Sequence, residues 1–185
     1  AACGGSHPLI DGALELRETH GITPESIERI DISWAGRGSN PVVGFPFSSK
    51  GDLQVNAQFS APYAVALALR HGDAAPWRFA DEAIREDRET QELSRRVVMV
   101  DRKDIPPRRQ TPSDLGIGTG YAHTIEVHLK DGRSFRSDRT PAETFDPARV
   151  GWNDVVEKLE ACRSLSGLDV DTAAVVQTIS ELASL

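Results

Sequence analysis

The chain has 185 residues and a formal charge of −7, with 21 Lys and Arg against 28 Asp and Glu. At 39% hydrophobic and 26% charged residues it has the make-up of an ordered globular protein, which excludes wholesale disorder. No run approaches the ~18 consecutive apolar residues of a transmembrane helix, and an acidic chain without a basic stripe argues against nucleic acid as a partner. The two cysteines, Cys3 and Cys162, lie at opposite ends, a usage that suits a reducing cytoplasm. Two thiols cannot build a zinc site by themselves. The start, Ala1-Ala2-Cys3-Gly4-Gly5, has neither the basic residues nor the apolar run of a signal peptide, so a cytoplasmic location with no membrane contact is expected. Met99 is the one methionine, so the chain reads as a piece of something longer, cleaved or separately encoded.

Apolar Leu9, Ile10, Ala13, Leu14 and Leu16 recur at helical spacing, and residues 8–20 read as an amphipathic helix that opens at Pro8 and stops at Gly21. Ile27, Ile30, Ile32 and Trp34 mark a strand. Residues 36–53, rich in Gly and Pro, form a long loop of the kind that is often functional. Residues 57–71 are apolar almost all round, the signature of a central buried helix, with Ser60 suited to cap it and Gly72 to end it. Short helices follow near 80–86 and 88–95, then a strand at 97–100. A Pro-, Gly- and Arg-rich loop over 103–120 includes Arg108 and Arg109. Residues 122–129 alternate as a strand, Lys130-Asp131-Gly132-Arg133 is a hairpin turn, and 134–137 is the returning strand. Two helices, near 152–164 and 169–183, complete the chain. About four strands and five or six helices in uneven order predict one α+β domain over residues 1–185, an antiparallel sheet with helices packed on one face.

Chemistry concentrates at Gly4-Gly5-Ser6-His7-Pro8. Two glycines allow close approach of backbone to a ligand, and the following helix points its unpaired N–H groups and positive end at this turn. Such a place suits a carboxylate or phosphate, and His7 can hydrogen-bond an anion or exchange a proton. A flexible lead-in with an ordinary cap is the plainer reading of the same residues, because short motifs recur by chance. Tyr63 offers a phenol in an otherwise apolar helix, and its simplest role is structural. His20 and His71 stand at helix ends, where histidine caps carbonyls. His123 and His128 fall on opposite faces of one strand and cannot chelate a metal together. The 116–120 glycines precede a strand rather than a helix, which argues against a dinucleotide fingerprint.

Four segments together resemble the smaller, C-terminal domain of the MmgE/PrpD family, which includes 2-methylcitrate dehydratase, cis-aconitate decarboxylase and iminodisuccinate epimerase. They are Cys3-Gly4-Gly5-Ser6-His7-Pro8 with residues 10–16, the run from Gln54 through Tyr63 to Leu69, residues 127–133, and residues 152–159. The resemblance implies a lyase or isomerase working on small di- and tricarboxylates, with no metal or organic cofactor. It implies an active site in a cleft between this domain and a larger helical N-terminal domain, which the 185 residues do not include. On that basis His7 inherits a catalytic role, Gly4, Gly5 and Ser6 hold the substrate carboxylate, and Tyr63 lines the pocket. A homodimer is the implied assembly, and this chain is expected to be inactive without its helical half, supplied as a cleaved or separate chain. A non-catalytic binding or partner-interaction module on the same fold is the alternative, because fold does not dictate function.

Overall fold

A computed structural model describes residues 2–34, 37–104, 122–146, 148 and 150–182, which divide into two compact units, Ala1–Phe145 and Asp146–Leu185. The first unit opens with a 3-10 turn at Gly4–Ser6 that runs directly into α1, His7–His20, with Pro8 in its first turn. Gly21 ends α1 at φ 61°, a left-handed conformation that glycine adopts without a Cβ penalty. Strand β1 follows at Ile27–Trp34. The expected single helix over 57–71 is two: α2, Leu53–Gln58, and α3, Ala61–His71. The break falls at Phe59–Ser60, where the Ser60 side chain accepts the Tyr63 N–H and starts α3 afresh. Every residue of α3 from Ala61 to Leu69 is buried, as its all-round apolar sequence predicts. Then come α4, Asp81–Glu86, α5, Arg88–Ser94, and strands β2, Val97–Met99, β3, His123–Leu129, and β4, Ser134–Arg139, with a short α6 at Pro141–Thr144.

The four strands lie in the order β2-β1-β3-β4. The expectation of a purely antiparallel sheet is corrected at one edge, because β1 and β2 run parallel, Ile30 facing Val97 and Ile32 facing Met99. The intervening helices α2–α5 supply the long crossover that a parallel pair needs. The β1–β3 and β3–β4 pairs are antiparallel, and the Lys130–Arg133 turn joins the latter as read. One sheet face carries Ile30, Ile32, Ile125, Val127 and Leu129 into a core shared with Leu9, Ala13 and Leu16 of α1 and with α3. Gly12 brings α1 down on β3: a Cβ there would stand 2.7 Å from Ile125 Cγ2.

The other face is polar. Arg102 reaches Glu126 at 2.6 Å and Asp104 at 3.1 Å, while Arg136 reaches Asp104 at 2.7 Å and Asp138 at 3.0 Å. These bonds lay the chain after β2 across the open side of the sheet. The loop expected over 103–120, with Arg108, Arg109 and the 116–120 glycines, falls mostly outside the described residues. In the second unit α7 spans Trp152–Ser166 and α8 Thr172–Leu182, close to the two helices expected there. Thr172 is the buried residue among those described in that unit.

Candidate active site

The Gly4–Ser6 turn is pinned from two sides. The Cys3 N–H donates to the Gln58 carbonyl at 2.9 Å, tying the turn to the end of α2. The indole Nε1–H of Trp34, at the last residue of β1, donates to the Gly5 carbonyl at 3.2 Å. The two most specific sequence segments, Cys3–Pro8 and Gln54–Leu69, therefore meet in space, and α3 also packs on the turn. Neither Gly4 nor Gly5 has a positive φ, and a Cβ would meet Phe145 at 3.7 Å or Val43 at 3.5 Å, ordinary contacts. Their contribution is bare backbone at the start of α1.

His7 is the first residue of α1 and half-buried. Its Nε2 lies 3.0 Å from the Ala2 carbonyl. A carbonyl can only accept, so Nε2 carries the proton, and in the neutral ring Nδ1 is left with a bare lone pair. The Phe145 ring stands 5.6 Å from the imidazole, tilted by 32°. Beside it, the Ser6 hydroxyl is buried with no hydrogen-bond partner among the described residues. Leaving a hydroxyl in that condition costs about 1–3 kcal/mol.

Tyr63 is fully buried between the rings of Phe47 at 4.7 Å and Phe79 at 6.4 Å. Its hydroxyl also has no hydrogen-bond partner among the described residues. Burial, and after it the negative charge of Asp87, pushes the phenol well above its ordinary value, so it stays a protonated donor. The helix that carries it is fixed by Ser60, whose hydroxyl donates to the Phe45 carbonyl at 2.8 Å.

The remaining histidines behave differently from one another. His123 and His128 do point to opposite sheet faces: His123 is buried, and His128 lies 3.3 Å from Asp31 on the open face. The helix-end histidines do not serve as carbonyl caps. His20 stacks on Phe135 at 4.0 Å, and His71 pairs with Asp87 at 2.7 Å. Asp87 also accepts from Arg70 at 3.0 Å and from the Thr90 N–H and hydroxyl. Burial opposes ionisation of this carboxyl, but the bonds from Thr90 and His71 outweigh it and lower its pKa.

Residue-by-residue reading missed Trp34 and Phe145. For Trp34 one signal existed, since a buried indole N–H needs a partner. For Phe145 there was none, because its contact with His7 joins opposite ends of the first unit.

An α+β domain built around a histidine turn, anchored to both the sheet and the helix layer, is the class that these observations define. The family model described as MmgE/PrpD C-terminal domain matches residues 1–181, and the chain belongs to that family as its C-terminal domain. A search of the curated proteins finds no match to the chain. Among the described residues, no helix is long and apolar enough to cross a membrane.

Proposed function

We propose that this chain forms one wall of the substrate cleft of a lyase or isomerase acting on small di- or tricarboxylates, in the manner of 2-methylcitrate dehydratase and without a cofactor. The observation that carries the reading is the turn before α1, where a histidine whose Nδ1 keeps its lone pair adjoins a buried Ser6 hydroxyl with no hydrogen-bond partner among the described residues. A substrate carboxylate would supply the acceptor that Ser6 lacks. The Gly4–Ser6 backbone and the positive end of α1 would hold its charge. The Tyr63 hydroxyl, likewise without a hydrogen-bond partner among the described residues, would orient a second oxygen.

In a dehydration or an epimerisation, His7 Nδ1 accepts the proton from the carbon beside the carboxylate, and the electron pair moves toward that carboxylate. In the dehydration protonated His7 gives that proton to the departing hydroxyl, which leaves as water; in the epimerisation a second acid on the facing domain would deliver a proton to the opposite face while His7 keeps the one it took. In a decarboxylation the C–C bond breaks first, and protonated His7 delivers its proton to the carbanion that CO2 leaves behind. The helical N-terminal domain of the family would form the opposite wall. The second unit supports that partner: Trp152, Leu165, Leu168 and Leu182 are exposed, and a two-helix unit this small needs a cover for its apolar side chains. A cytoplasmic homodimer completes the proposal, in keeping with the free thiols of Cys3 and Cys162.

The test is His7→Ala in the complete enzyme, this chain together with its helical domain. A fall in kcat/KM of about a hundredfold or more is expected for loss of a general acid–base. A change within about threefold, ~0.7 kcal/mol, would make His7 a bystander.

A further inference from the structure

We infer that Arg37 binds a second carboxylate of the substrate and so selects polycarboxylates over monocarboxylates, an inference that rests on the reading of the His7 turn given above. Trp34 and Arg37 form an antiparallel bridge in which the Trp34 N–H donates to the Arg37 carbonyl at 2.9 Å and the Arg37 N–H donates back at 2.8 Å. A pair that exchanges both bonds has its Cα atoms about 5.5 Å apart and its side chains on one face. From that face the Trp34 indole reaches the Gly5 carbonyl. The Arg37 side chain therefore springs from the same face as the group that pins the histidine turn. Its backbone is held a third time, by the Ser33 hydroxyl donating to its carbonyl at 3.2 Å.

Arg37 is exposed and has no carboxylate partner among the described residues. Most of the described arginines of the first unit are committed, among them Arg29 to Asp31, Arg78 to Asp73 and Arg139 to Glu15. Asp101, just beyond β2, accepts the Gly38 N–H at 2.7 Å and makes no ion pair with Arg37. An uncommitted guanidinium on a fixed backbone is a planar fork matched to a carboxylate. With one carboxylate at the Gly4–Ser6 turn, this fork on the same face is the group left to take a second one. A monocarboxylate has nothing to offer it.

The experiment is calorimetric titration of the complete enzyme with citrate and with acetate as probes, comparing wild type with Arg37→Gln, Arg37→Lys, Ser6→Ala and His7→Ala. Arg37→Gln is expected to weaken citrate about tenfold or more, the loss of a charge-assisted bond, with acetate unchanged. Arg37→Lys is expected to keep part of the affinity, because it keeps charge without the fork. Because the residue is exposed, the melting temperature of both variants stays that of wild type. If Ser6→Ala and His7→Ala leave citrate binding unchanged, the turn is not the carboxylate site, and the underlying reading fails together with this one. If they weaken citrate while Arg37→Gln does not, or if Arg37→Gln weakens acetate equally, the Arg37 inference is overturned and the turn stands.

Discussion

Replacing Tyr63 by Phe is expected to move stability and activity in opposite directions. The Tyr63 hydroxyl is fully buried with no hydrogen-bond partner among the described residues. Its desolvation is therefore uncompensated, a penalty of about 1–3 kcal/mol. Phe keeps the ring between Phe47 and Phe79 and leaves only the oxygen's volume empty. Tyr63→Phe should therefore stabilise the chain by about 1 kcal/mol, raising Tm by roughly 2–4 °C at this size. If Tyr63 orients a substrate oxygen as proposed, the same change in the complete enzyme removes that donor, a loss of about 1.5–3 kcal/mol, or roughly 10–150-fold in kcat/KM. Urea denaturation reads the first effect as a higher midpoint at unchanged slope, and steady-state kinetics read the second. Alkaline pH gives a further handle. The folded phenol titrates well above its ordinary value of 10.0, because burial and the Asp87 charge disfavour the phenolate. Above pH 10 the unfolded chain loses this proton and the folded chain does not. Stability therefore falls as pH rises beyond that point, and the Phe variant loses this component of the slope. A destabilised variant would show that the hydroxyl has a protein partner, and kcat/KM within threefold of wild type would remove Tyr63 from the site.

Two further substitutions test the frame around the site. Asp87→Ala removes the acceptor shared by Arg70, His71 and Thr90 and the cap of α5, and should destabilise by about 2–4 kcal/mol in thermal or chemical melts. The folded pKa of Asp87 is depressed, so its contribution is present above the unfolded value near 4 and is lost as pH falls through the folded value; the variant should lose that acid sensitivity. A loss under about 0.5 kcal/mol would mean that the cluster is an ordinary surface ion pair. Gly12→Ala drives a Cβ to within 2.7 Å of Ile125 Cγ2 and should cost about 1–3 kcal/mol, whereas a neutral result would show that α1 can ride higher on β3.

Much of the frame was legible because it is local. The spacing of Leu9, Ala13 and Leu16, the alternation through β3 and the Asp131-Gly132 turn each encode their own element within a few residues. The break before α3 is half legible: Ser60 suits a cap, but the residues before it continue the same apolar pattern. The parallel β1–β2 edge was not legible, since nothing in Val97–Met99 tells on which side, or in which sense, it joins a strand more than sixty residues earlier. At the site, His7 and its glycines stand out by composition. Trp34 and Phe145, which hold the turn and cover the histidine, become visible only through contacts across 29 positions or more. Arg37 carries no signal of its own in the sequence, because an arginine's lack of an acidic partner shows only in its neighbours in space.

The order of the strands also sets the order of events during synthesis. β1 lies inside the sheet, flanked by β2 and β3, yet it precedes both in the chain. Trp34 leaves the ribosome about 90 residues ahead of its partner His123, a wait of roughly 5–20 s at ordinary elongation rates. Through that interval Ile30, Ile32 and the apolar face of α1 have no sheet to close on. The β3–β4 hairpin, in contrast, forms within microseconds of its own emergence. The nascent chain therefore carries β1 without its central partner while about 90 further residues emerge, which makes β1 the segment on which a chaperone would act.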